Sequence, residues 1–273
     1  MPRGVHVGPA RLSYLLVALV SLGAAALTFF SGFGLGTLLL PAFSLFFPVE
    51  IAIAATAIVH LANNLFKLGL VGRDANRSVL VRFAVPAAIM AVLGALVLDR
   101  VSTLPPLAEY TLAGHAHTIL PVKLIIGVLM MALAALELLP SFHRMTFDAK
   151  YLPLGGAVSG FTGGLSGQQG AFRAAFLIKA GLTKEAFIAT GVAAAVVIDI
   201  SRLLVYGVSF FAKHVVAFEH AHGTPLIVVA TAAAFAGSFI GSRVVKKVTL
   251  RGLQIGVGVG LMLVGLALAA GLI

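Results

Sequence analysis

The stretch GGLSGQQG, residues 163 to 170, breaks an apolar run between about 153 and 181, and SGFGLG, residues 31 to 36, breaks another between about 12 and 47. Each glycine-rich break splits a stretch that would otherwise cross a bilayer into two short arms. Around them lie further apolar segments at about 51–72, 78–98, 120–139, 185–211, 224–242 and 252–272. Several exceed the ~18 residues that mark a membrane helix. Hydrocarbon offers backbone groups no hydrogen bonds, so such runs must be helical. The expected fold class is therefore an all-α polytopic membrane protein.

Composition agrees. Of 273 residues, 60% are hydrophobic and 10% charged, and mean hydropathy is +1.09; a soluble domain carries about 25% charged residues. The alternating ten-residue segments of a membrane β-barrel are absent. The net charge of +10 is not a nucleic-acid signal, because the basic residues fall in short clusters between apolar runs. No nucleic acid is expected as a partner; the lipid bilayer is. With no cysteine, disulfides, thiolate metal sites and cysteine nucleophiles are excluded. Met1 to Arg11 carries no cleavage pattern, so no targeting segment is expected there.

Loop charge sets orientation. Lys67, Arg73, Arg77 and Arg82, then Arg144 and Lys150, then Arg243, Lys246, Lys247 and Arg251 mark cytoplasmic ends. The 99–119 loop, with Asp99, Arg100 and Glu109, and the 212–223 loop, with Lys213 and Glu219, should lie outside. The region 153–181 must then enter and return as a hairpin. A shift of 134 residues aligns Gly36 with Gly170, Ala52 with Ala186, Ala55 with Ala189 and Thr56 with Thr190. Each half, 1–145 and 146–273, then reads as a hairpin plus three spans. Three is odd, so the halves are inverted repeats, and inverted repeats with broken helices are a transporter arrangement. Arg3 and Arg11, placed outside by this scheme, count against it.

GFGLGTLLLPAFSLFFPVEIAIAAT, Gly32 to Thr56, and GFTGGLSGQQGAFRAAFLIKAGLTKEAFIATGV, Gly160 to Val192, resemble the sulfite exporter TauE/SafE family of permeases, also called the toluene-sulfonate uptake permeases. The resemblance covers nearly the whole chain. It implies a permease of the bacterial inner membrane, multi-pass and without ATP-hydrolysing parts, that moves sulfite, sulfonates or related organosulfur anions. Pro41 fits the family's first hairpin. The second hairpin departs from the pattern, with Gln168, Gln169 and Arg173 and no proline, so the resemblance leaves the substrate open.

The second hairpin holds the richest candidate chemistry. A half-helix starting near Gln168 turns its first N–H groups, the positive end of its dipole, toward membrane depth, where such ends bind anions. Ser166, Gln168 and Gln169 add neutral hydrogen-bonding groups. Arg173 adds a planar charge suited to an oxyanion, or else staples the hairpin to an acid or carbonyls. Lys179 reads as a snorkelling anchor. After the first hairpin, Thr56, His60, Asn63, Asn64 and Lys67 recur every three or four residues, hence on one helix face. With Gly36 and Thr190 they complete the expected substrate-binding set. His60, whose imidazole ordinarily titrates near pH 6.5, is a coupling candidate or a core histidine bonded across helices. Asp199 and Arg202, three apart with Tyr206 beyond, neutralise each other, or Asp199 pairs with Arg173 as a gate. Lys67 joins this coupling group. Glu137 is expected to face headgroups.

His115, His117, His214, His220 and His222 fall in the two outer loops. Their spacing matches no closed metal site, and no metal or cofactor is expected. No GxxxxGK[ST] phosphate loop, GxSxG or HExxH occurs, so an enzyme is not expected. The reading is a secondary transporter for a small anion. The alternatives are a passive anion channel or a metal-ion carrier using the outer histidines; the sequence leaves homo-oligomerisation open.

Overall fold

The apolar runs become helices, and the second glycine break becomes the turn after Ser166. The structure, a computed structural model, describes residues 9–31, 35–139, 146–208, 223–244 and 250–273. In chain order the helices are α1 (Pro9–Ser31), α2 (Leu35–Ser44), α3 (Val49–Val71), α4 (Arg77–Ser102), α5 (Pro121–Leu138), α6 (Leu152–Ser166), α7 (Gly170–Leu177), α8 (Lys184–Tyr206), α9 (Gly223–Val244) and α10 (Leu250–Ala269). Four stretches among the described residues are long and apolar enough to cross a bilayer: Val49–Asp74, Arg77–Ser102, Lys184–Tyr206 and Gly223–Arg243. The protein is an all-α polytopic membrane protein. Helices α2 and α7, of 10 and 8 residues, rise only about 1.5 Å per residue and fall well short of a ~30 Å hydrocarbon core.

Helix α4 illustrates how sequence sets packing. Val81, Val85, Ile89, Leu93 and Leu96 recur every three or four residues, and their exposures run from 46% to 59%. That stripe suits lipid tails, which are as apolar as the side chains themselves. The opposite face, with Ala87, Ala91 and Ala95, is fully buried. It is small because the backbone of α6 lies directly on it. A Cβ on Gly156, Gly160 or Gly164 would run into the carbonyl oxygen of Phe83, Ala87 or Ala91 respectively. Each glycine costs a helix about 1 kcal/mol relative to alanine, and close backbone contact offsets that in a membrane.

The same device recurs elsewhere in the bundle. Gly237 and Gly241 of α9 meet the carbonyls of Leu22 and Ala26 of α1. Both contact ladders ascend together, so α6 runs parallel to α4, and α9 parallel to α1. In α5 and α10, Gly127 meets Gly265 while Leu138 meets Gly258, so this pair is antiparallel. Helix α3 packs on α8 at the centre. Helix α1 thus lies along α9, and α6 along α4. Short devices fix the ends. The Asn76 side chain accepts from the N–H of Val79 at 3.1 Å, and that of Thr183 from Ala186 at 3.2 Å, capping α4 and α8.

One element was not foreseen. The 99–119 loop holds an antiparallel hairpin, β1 (Ala108–Leu112) and β2 (His115–Ile119). Ala113 and Gly114 turn it with φ of 52° and 81°, the two positive values a type I′ turn needs. Alanine carries no signal for that conformation. Tyr110 stacks on His117 at 5.3 Å and donates to the Ala270 carbonyl at 2.6 Å, so the hairpin caps the end of α10. Residues 212–222 of the second outer loop, Arg144, Lys246, Lys247 and Arg3 lie outside the described residues, as do the side chains of Arg11, Arg251 and Glu137.

Candidate functional site

Helices α3 and α8 bring the polar stripes of the two halves together around Asp199, which is fully buried. Its Oδ1 accepts from Arg202 through Nε at 3.1 Å and Nη2 at 2.7 Å, and from Gln169 Nε2 at 3.0 Å. Its Oδ2 lies 2.6 Å from His60 Nδ1 and accepts from Asn64 Nδ2 at 3.4 Å. Arg202, also fully buried, donates through Nη1 to the Gly163 carbonyl at 3.2 Å. A charge so deep survives only when paired and hydrogen-bonded. The Asp199–Arg202 pairing expected from spacing is present. What spacing within one helix could not show is that His60 also meets Asp199, from 139 residues away.

Arg173 reaches Asp199 through Gln169. Its Nη1 donates to Gln169 Oε1 at 3.0 Å, and Gln169 in turn holds Asp199, so the amide relays between them. Lys67 is buried within electrostatic reach of Arg173. Two hydroxyls beyond the expected set hold this hairpin. Ser159 donates to the Gln169 carbonyl at 2.8 Å, and Tyr206 donates to that of Gly164. Tyr206 was legible as a member of the α8 polar face; Ser159 sits in a glycine-rich run with no partner visible in sequence.

The hairpins touch at their glycines. A Cβ on Gly36 would lie 3.0 Å from the Gly167 carbonyl oxygen, 3.6 Å from His60 Cδ2 and 3.9 Å from Thr56 Cγ2. Gly167 takes φ 80°, the left-handed region that suits glycine, and ends α6. Gln168 follows, 4% exposed, just before the start of α7, whose N-terminus no side chain caps. Neither amide atom of Gln168 finds a hydrogen-bond partner among the described residues, and neither does the fully buried Thr56 hydroxyl. Buried polar groups are otherwise paired in about nine cases of ten. A model of the sulfite exporter TauE/SafE family matches residues 17–268. The chain belongs to this family. No curated protein and no solved structure matches it.

In this member of the sulfite exporter TauE/SafE family, the expected site residues divide by location. Gly36, Thr56, His60, Asn64, Gln168, Gln169, Arg173, Asp199 and Arg202 converge where the hairpins meet. Asn63 does not join them: its Oδ1 accepts from Ser238 of α9 at 2.7 Å. Thr190 accepts from the Asn76 N–H at 2.9 Å, tying α8 to the start of α4. Ser166 donates to the Thr162 carbonyl at 2.9 Å and accepts from the Gln168 N–H at 3.4 Å, serving the turn. Lys179 is exposed, as an anchor should be. Among the described residues no group of histidines and acids could hold a metal; His214, His220 and His222 lie outside them.

Proposed function

We propose that this membrane transporter is a secondary permease of the bacterial inner membrane, moving a small anion such as sulfite, a sulfonate or a related organosulfur anion. The carrying observation is the Gln168 amide, buried and unpartnered beside the start of α7 where the two hairpins touch. A helix N-terminus favours negative charge, and an orphaned amide supplies hydrogen bonds that a ligand can complete. The buried ionisable side chains among the described residues lean the same way: Lys67, Arg173 and Arg202 are basic, His60 is titratable, and Asp199 is acidic.

The halves 1–145 and 146–273 form an inverted repeat around this site. Reciprocal packing supports that reading: α1 runs with α9, and α6 runs with α4. Since α5 opposes α10, the chain direction also alternates consistently through α9 and back to α1. Asp199 and His60, one from each half, join the two at the centre and form the coupling group. Flux of radiolabelled sulfite in proteoliposomes tests the reading. Arg173→Gln should lose most transport while keeping wild-type thermal stability, and Arg173→Lys should recover only part, lacking the planar fork. Full flux in the glutamine variant would remove Arg173 from the transport site.

A further inference from the structure

Gln168 is more specific than a generic anion-binding amide. A carboxamide offers two N–H donors at one end and an acceptor oxygen at the other, and turning it over exchanges the ends without changing that inventory. Both ends are buried and unpartnered among the described residues. A plain sulfonate presents oxygens that only accept. It would satisfy the amide nitrogen and the Thr56 hydroxyl, and would strand Oε1. The Arg202 and Gln169 donors of the Asp199 network are committed. Arg202 serves Asp199 and the Gly163 carbonyl, and Gln169 serves Asp199. A bare cation on Oε1 would face the Arg173 and Arg202 charges and the positive end of α7.

We infer that the ligand completing this site is an oxyanion that also bears a hydroxyl, its negative group on the α7 side and its O–H donating to Gln168 Oε1. The inference rests on the proposed anion site and narrows it to one chemical class. Thr56 lies on the same side of Gly36 as the Gly167 carbonyl, and its hydroxyl can either donate or accept, so it fits the hydroxyl or the oxyanion end.

The probes are ethanesulfonate and 2-hydroxyethanesulfonate, which share charge and length and differ by one hydroxyl. Titration calorimetry on the full chain in lipid nanodiscs gives both affinities. The hydroxylated anion should bind roughly tenfold or more tightly, because a site built around a hydrogen bond rejects the analogue that leaves its group unpaired. Gln168→Met keeps length but removes both polar ends, and should weaken both anions while bringing their two affinities together. Thr56→Val, at a separate position, should weaken both without destabilising the fold. Equal wild-type affinities would overturn the hydroxyl requirement and leave the anion site standing. Failure of both anions to bind would overturn the anion site and this inference with it. An unchanged preference in Gln168→Met would take the role away from this amide.

Discussion

Replacing Asp199 by asparagine strikes the one carboxylate among the buried ionisable groups described. Arg202 is 0% exposed and donates twice to Asp199 Oδ1 and once to the Gly163 carbonyl. Asparagine keeps one oxygen that can still accept but removes the charge. Stranding a buried cation in this way costs about 3–5 kcal/mol. The retained oxygen and the Gly163 carbonyl place the expected loss near the lower end, about 3 kcal/mol. Arg202→Met alone leaves Asp199 with His60, Gln169 and Asn64, yet removes its shortest cationic contact. Removing both partners together replaces a buried pair with neutral groups, which is often nearly neutral. The double variant should therefore be more stable than the sum of the single losses by at least about 1 kcal/mol. Denaturant unfolding of the purified protein in mild detergent, followed by far-UV circular dichroism, measures all four corners. Additive losses, or an asparagine variant within ~1 kcal/mol of wild type, would refute the view that Asp199 exists to neutralise Arg202.

Two further predictions address packing and orientation. Gly160→Ala places a methyl against the Ala87 backbone and should cost roughly 1–3 kcal/mol by the same unfolding measurement, whereas Gly260→Ala, with nothing within 4 Å, should be neutral or stabilising by up to ~1 kcal/mol; equal effects would contradict the close α4–α6 approach. In the cysteine-free chain, Arg73→Cys and Glu109→Cys should react with a membrane-impermeant maleimide from opposite faces, and labelling from one face would break the inverted repeat.

The helices were legible because each apolar run had to satisfy its backbone internally, and the second glycine break fell where its hairpin turns. The β-hairpin was not, because Ala113 adopts a positive φ that its side chain does not advertise. At the site, periodicity identified which residues share a face, so Thr56, His60 and Asn64 were grouped correctly. Asn63 shows the limit of that argument. It belongs to the same stripe, yet one residue of helical rotation, about 100°, turns it to Ser238 on α9. Asp199 with Arg202 was readable from a spacing of three, but its bond to His60 spans the two halves and depends on how α3 crosses α8. The Gln169 relay was likewise hidden, since nothing local chooses between a direct Arg173–Asp199 bond and one passed through an amide.

The parallel partnership of α1 with α9 constrains how the protein is born. Helix α1 ends at Ser31 and α9 begins at Gly223, so most of the chain must leave the ribosome before the partner arrives. At ~5–20 residues per second that interval lasts on the order of 10–40 s. Throughout it, the surface of α1 destined for Gly237 and Gly241 rests against lipid or the insertion machinery. The α1–α9 contact therefore closes late, after the helices between them have been made.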